Sequence, residues 1–154
     1  SSRQIVQNMS EIVWEMNHHD STLQHLLAYI REQSYRDFEP FDIDLKIDFP
    51  DELPHIVLDH SERRNLYMVT KEALHNSRKH AGSNWIRLSA SYKEGKLCFI
   101  VQDGGNGSKK VTDRIGGNGL RNMQQRMHDI GGEIELMENA EGGITVTYGV
   151  NLRE

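Results

Sequence analysis

Five consecutive apolar residues, Leu97-Cys98-Phe99-Ile100-Val101, run into Gln102-Asp103-Gly104-Gly105, and no other stretch limits the fold of this chain as strongly. A run this short, apolar on both faces, is predicted to be a buried strand at the centre of a sheet. Lys93-Glu94-Gly95 before it is a hairpin-sized turn, so residues 84–92 are predicted to pair with 96–103. Such a strand needs further neighbours and a cover. Ile43, Leu45, Ile47 and Phe49 alternate with Asp44, Lys46 and Asp48, the period of a half-buried strand, and Pro50 and Pro54 bracket the loop that follows. Two closing strands, 133–138 and 144–150, flank the turn Asn139-Ala140-Glu141-Gly142-Gly143.

The cover is helical. Residues 60–81 carry Leu66, Val69, Ala73 and Ser77 on one face with Tyr67, Thr70 and Leu74 on its flank, and a second helix over 119–130 is stopped by Gly131-Gly132. Residues 2–36 lack Gly and Pro, and Ile5, Met9, Ile12, Met16, Leu23, Leu26 and Ile30 form a helix seam. Asn17-His18-His19-Asp20 reads as a break in it, and Ser21 with Gln24 has the capping-box spacing of a fresh start, so this region is two helices or one kinked helix. The order of elements predicts an α+β fold, a sheet with helices on one face preceded by an N-terminal helical segment.

Composition narrows the partners. The 154 residues hold 18 Lys plus Arg against 23 Asp plus Glu, a net charge of −5, which argues against a broad nucleic-acid surface. No apolar run approaches the about 20 residues of a membrane span, and no basic region followed by an apolar one opens the chain, so neither membrane contact nor a secretory signal is expected. Cys98 is the single cysteine, which suits a reducing compartment such as the cytoplasm.

Three constellations can carry chemistry. In Lys71-Glu72-Ala73-Leu74-His75-Asn76-Ser77-Arg78-Lys79-His80, a turn of about 100° per residue puts Glu72, Asn76 and Lys79 on one strip at the margin of the apolar face. An amide oxygen there can hold a hard cation such as Mg²⁺, a carboxylate can take or orient a proton, and a lysine can neutralise phosphate. The same strip also reads as a solvated face with ordinary i, i+4 pairs. In Asp103-Gly104-Gly105-Asn106-Gly107, a carboxylate ends a buried strand where the following backbone allows close approach, which suits a heteroaromatic amine as well as a capped glycine turn. In Gly116-Gly117-Asn118-Gly119-Leu120, glycines precede a helix whose free amides can face an anion, with Lys109, Lys110 and Arg114 between the two clusters; a flexible connection is the other reading. No Gly-Lys-Ser/Thr is present and residue 122 is Asn where a dinucleotide fingerprint needs Gly or Ala, which excludes a standard P-loop or Rossmann site.

In this order, the three resemble the N, G1 and G2 boxes of the GHKL ATP-binding superfamily, over about residues 42–152. Residues 71–81 and Gly-Gly-Asn-Gly-Leu-Arg-Asn-Met-Gln-Gln-Arg-Met (116–127) look most like sensor histidine kinases of the NarX/DesK type, and residues 9–40 look like the last helical part of the dimerisation region in related kinases common in Bacteroidetes. The resemblance implies a two-layer α/β sandwich of the Bergerat type with a mixed, mostly antiparallel sheet, residues 1–38 being a remnant of the dimerisation region and 39–154 the ATP-binding catalytic domain. It implies ATP and Mg²⁺ as ligands. Glu72 would assist the attacking group or its water, Asn76 would hold Mg²⁺, and Lys79 and His80 would face phosphates. Asp103 would receive the adenine amino group, Gly105 and Gly107 would let the nucleotide lie close, and Gly117, Gly119 and Leu120 would bracket triphosphate and base. It implies a response regulator as partner, a homodimer through the N-terminal helices of the parent, and a membrane-attached parent. The family usually reads Gly-Thr before its last strand, with the Thr supporting adenine through water. This chain has Gly143-Ile144-Thr145, in which Thr145 points to the opposite face of the strand.

His19-Asp20 has the dipeptide of a kinase phosphoacceptor. Three arguments oppose that role: no room remains before Ile43 for a helical return, Ile12-Val13-Trp14 resembles the second helix of the hairpin, and His19 falls on the seam. The acceptor is therefore expected outside the chain. The remaining histidines, including His25, His55, His60 and His128, show no metal-ligand spacing. Rival readings are a GHKL serine kinase acting on an anti-sigma partner, opposed by the helical N-terminal segment, and a nucleotide-binding module without phosphotransfer, opposed by the presence of both Glu72 and Asn76.

Overall fold

The computed structural model describes residues 21–80, 84–105 and 118–152, and His18, His19, Gly107, Gly117, Lys109, Lys110 and Arg114 lie outside them. The elements are α1 (Leu23–Phe38), β1 (Asp44–Asp48), α2 (His60–His80), β2 (Trp85–Lys93), β3 (Lys96–Asp103), α3 (Asn118–Asp129), β4 (Glu133–Glu138) and β5 (Ile144–Asn151). The strands form one sheet in the order β1-β2-β3-β5-β4, with β1 parallel to β2 and every other pair antiparallel. The α+β architecture with a mixed, mostly antiparallel sheet is the one expected. β3 is central, yet its faces differ: Leu97, Phe99, Val101 and Asp103 are buried while Cys98, Ile100 and Gln102 are half-buried. The apolar run predicted burial on both sides; among the described residues helices cover one side, and Cys98 and Ile100 face the other.

The covered face holds the core. The Phe99 ring stacks on Tyr148 at 5.1 Å between centroids and meets Phe49 edge-on at 6.2 Å. Leu23, Leu26, Leu66, Leu88 and Leu97 are fully buried, each side chain worth about 1.5–3 kcal/mol relative to exposure. Thr70 on α2 donates its hydroxyl to the Leu66 carbonyl at 2.8 Å. A hydroxyl has one hydrogen, so the Tyr148 phenol is the donor in its contact with Thr70 Oγ1. Burial pushes the Tyr148 phenol far above its ordinary pKa.

Local signals account for the element ends. The N-cap of α1 is Thr22, whose hydroxyl accepts from His25 N at 3.2 Å, one residue after the Ser21 cap read from spacing. The shift has a tertiary cause: the Ser21 carbonyl accepts from Leu58 N at 2.7 Å and Leu23 N donates to the Ile56 carbonyl at 2.9 Å, holding this stretch extended. α2 opens on a reciprocal box in which Glu62 N donates to Asp59 Oδ1 at 2.7 Å and Asp59 N donates to Glu62 Oε1 at 3.0 Å. α3 ends as predicted, Gly131 N bonding the His128 carbonyl and Gly132 N the Met127 carbonyl, with Gly131 at φ 76°.

α1 does more than cover. Ile47, on the edge strand β1, donates its amide to Tyr35 Oη at 3.2 Å and accepts from Arg31 Nη2 at 3.3 Å, which closes that position to another chain's strand. Leu23, Leu26, Leu27, Ile30 and Phe38 belong to the same core as the strands, so the packing runs across the 38/39 division drawn from sequence. Among the described residues no helix is long and apolar enough to cross a membrane.

Candidate functional site

Two clusters form around the predicted residues. The first lies where α2 meets the start of α3. Glu72 and Asn76, one turn apart, are half-buried at the edge of the core, as the helical strip requires, and Lys79 is exposed one turn on. A Cβ built on Gly119 would stand 3.1 Å from Glu72 Oε1 and 3.6 Å from Asn76 Nδ2. Residues 43 to 47 positions apart thus share one junction, and the first turn of α3 is bare where it faces the two polar side chains. Below that turn Arg126 Nη1 donates to Asn65 Oδ1 at 3.3 Å, and Met123 and Met127 bury the helix against the core.

Asn76 Nδ2 is buried and has no hydrogen-bond partner among the described residues. A buried amide without a partner costs on the order of 1–3 kcal/mol, and such a group in a folded protein calls for an explanation. Turning the carboxamide about its last bond presents the oxygen in place of the nitrogen. The pair Glu72 and Asn76 then offers two hard oxygen donors. Mg²⁺ is commonly held by one or two side chains plus phosphate and water, so this donor set fits it. Leu120 is half-buried in the same first turn, and His80, half-buried at the end of α2, is already engaged in an interaction.

The second cluster lies at the end of β3. β5 sits between β3 and β4, and the register Gln102↔Thr145 sets Asp103 beside Ile144. Asp103 is fully buried, and its Oδ1 accepts from Ile144 N at 3.2 Å. The β4–β5 turn presses against it: a Cβ on Gly143 would fall 2.1 Å from the Asp103 carbonyl oxygen and 2.6 Å from Oδ1. Gly105, expected to admit a ligand, has a nearer reason to be bare, since a Cβ there would meet the Gly142 carbonyl at 2.4 Å. Thr145 Oγ1 accepts from Asn139 Nδ2 at 3.2 Å, away from the buried face occupied by Ile144. Sequence reading treated Asn139 only as a turn residue. An Asn side chain can bond its own backbone two residues on, as Asn139 Oδ1 does with Glu141 N, so the Asn at the head of this turn was the signal available.

No family model matches the chain. Among curated proteins it is 35% identical over 85 residues to the sensor histidine kinase MctS of Rhizobium johnstonii, covering 53% of this chain and 18% of that protein. It is 25% identical over 85 residues to the histidine-protein kinase/phosphatase DegS of Brevibacillus brevis (55% and 22%), and 28% identical over 96 residues to the nitrate/nitrite sensor NarQ of Escherichia coli (62% and 17%). The chain thus spans about a fifth of the length of these relatives. Among solved structures, the histidine kinase domain of a blue-light activated kinase from Erythrobacter litoralis superposes with a TM-score of 0.69 at 20% identity, covering 82% of this chain and 61% of that one. The catalytic domain of histidine kinase ThkA superposes with a TM-score of 0.67 at 16% identity, covering 85% and 94%. The fold is that of histidine kinase catalytic domains, and the sequence relatives are sensor histidine kinases.

Proposed function

We propose that this chain is the ATP-binding catalytic module of a two-component sensor histidine kinase, which binds Mg-ATP and passes the γ-phosphate to a histidine for relay to a response-regulator aspartate. The observation that carries the reading is the junction of Glu72, Asn76 and the bare first turn at Gly119, with the Asn76 amide buried and lacking a hydrogen-bond partner among the described residues. In this reading Asn76 holds Mg²⁺ and Glu72 takes or orients the proton of the attacking imidazole. Mg²⁺, when bound, would neutralise charge on the phosphate oxygens. Lys79 and His80 face phosphates, and Gly117, Gly119 and Leu120 bracket triphosphate and base. Asp103 accepts the adenine amino group, and Gly105 and Gly107 keep the backbone beneath the ring low. Catalysis would consist mainly of positioning and charge neutralisation, as is general for phosphoryl transfer. The response regulator, the homodimer through the N-terminal helices, the NarX/DesK-type likeness and a membrane-attached parent with this module in the cytoplasm belong to the same reading. So does the division into a dimerisation remnant, 1–38, and a catalytic domain, 39–154.

Isothermal calorimetry tests it. Micromolar binding of an adenine nucleotide is expected, collapsing in Asp103→Asn and losing its dependence on Mg²⁺ in Asn76→Ala. Absence of binding in the unaltered chain would overturn the reading.

A further inference from the structure

Asn139 opens the turn between β4 and β5, and its carboxamide makes four hydrogen bonds. Oδ1 accepts from Glu141 N at 3.1 Å and from Gly143 N at 3.0 Å. Nδ2 donates to the Asp103 carbonyl at 2.9 Å and to Thr145 Oγ1 at 3.2 Å. One side chain therefore shapes the turn with its acceptor and ties it to the last carbonyl of β3 with its donor. The next residue after the turn, Ile144, gives its amide to the Asp103 carboxylate, and Gly105 N donates to the Glu141 carbonyl at 3.3 Å. Both the main chain and the carboxylate of Asp103 are thus positioned by a segment 36 to 41 residues away.

A carboxylate selects an exocyclic amine through a hydrogen bond that weakens steeply with misalignment, so what fixes Asp103 also governs that selection. We propose that Asn139 is a positioning residue for purine recognition: it holds Asp103 where the carboxylate meets the 6-amino group of adenine, and does not itself touch the nucleotide. The proposal rests on the ATP-binding reading above. It assigns to the Asn139 donor a role beyond closing a turn, for which the acceptor alone would suffice.

The test compares calorimetric affinities of Mg-ATP and of Mg-purine riboside triphosphate, which lacks the 6-amino group, in the unaltered chain, Asp103→Asn and Asn139→Asp, each checked by thermal unfolding. Asn139→Asp keeps an acceptor for the turn amides and removes the donor to Asp103. The unaltered chain is expected to prefer ATP by roughly ten- to a hundredfold, the worth of a hydrogen bond to a charged acceptor. Both variants should abolish the preference for ATP, and Asn139→Asp should do so by bringing ATP down to the affinity of the analogue while leaving the analogue's own affinity unchanged. Should Asn139→Asp not fold, Asn139→Ser, whose hydroxyl can serve the turn but is too short to span to Asp103, is held to the same criterion. A variant that keeps the preference for ATP, or that loses both ligands in equal proportion, overturns the proposal while the ATP-binding reading stands. An unaltered chain that binds neither nucleotide overturns both.

Discussion

Gly119 meets Glu72 so closely that a Cβ on residue 119 would stand 3.1 Å from the Glu72 Oε1 carboxylate oxygen. The two residues come from the start of one helix and the middle of another, and their contact brings the polar strip of α2 against the first turn of α3.

Gly119→Ala follows from that distance. The contact is tight but its far side is a flexible side chain, so Glu72 can give way, while alanine favours a helix interior over glycine by about 1 kcal/mol. The variant is expected to keep or slightly raise its thermal midpoint and to bind Mg-ATP more weakly because Glu72 is displaced. Unfolding and calorimetry on the same sample check the two effects separately.

Gly143→Ala has the opposite balance. Its Cβ would fall 2.1 Å from the Asp103 carbonyl oxygen, which is backbone and cannot swing aside. Overpacking of this kind costs about 1–3 kcal/mol or more. Urea unfolding should show a lowered midpoint, with the slope unchanged if only the folded state is strained.

Tyr148 predicts a pH effect with a definite sign. An unfolded chain releases the phenolic proton near pH 10, whereas the buried phenol in the folded chain holds it to higher pH. Above about pH 10 the unfolded state therefore binds fewer protons, so stability falls as pH rises. Tyr148→Phe should flatten that alkaline fall and cost about 1 kcal/mol near neutrality through the lost bond to Thr70. Thr70→Val should cost more, on the order of 1–3 kcal/mol, because it leaves the buried phenol without its acceptor. Denaturation curves from pH 7 to 11 on both variants make the comparison.

Phosphotransfer in trans is the fourth expectation. On the proposed function, the chain incubated alone with γ-labelled ATP should stay unlabelled, and acid-labile label should appear on an acceptor helical hairpin when one is added. Label on the chain alone would point instead to His18 or His19.

Much of this molecule was legible before its structure. Alternation at 43–49 and the turn at 93–95 marked β1 and the β2–β3 hairpin almost to the residue, because burial on one side of a strand writes a period of two into the sequence. The strip of Glu72, Asn76 and Lys79 was legible for the same reason, at the helical period. Ser21 was misread as the cap because spacing sees only the helix, whereas pairing of residues 21–23 with 56–58 moved the start to Thr22. Gly105 and Asn139 were read only in part, one as a place for a ligand and the other as a turn former, because their partners lie in another segment of the chain.

The division has one physical cause. Periodicity, turn chemistry and caps act over a few residues, so the sequence by itself determined the described strands and helices, their order, the buried faces of β1 and α2 and the polar residues at the margin of α2. Which of those residues meet depends on sheet order, and that is a property of packing. Only the insertion of β5 between β3 and β4 brings Gly143 and Asn139 onto Asp103, and only the seating of α3 on α2 brings Gly119 to Glu72 and Asn76.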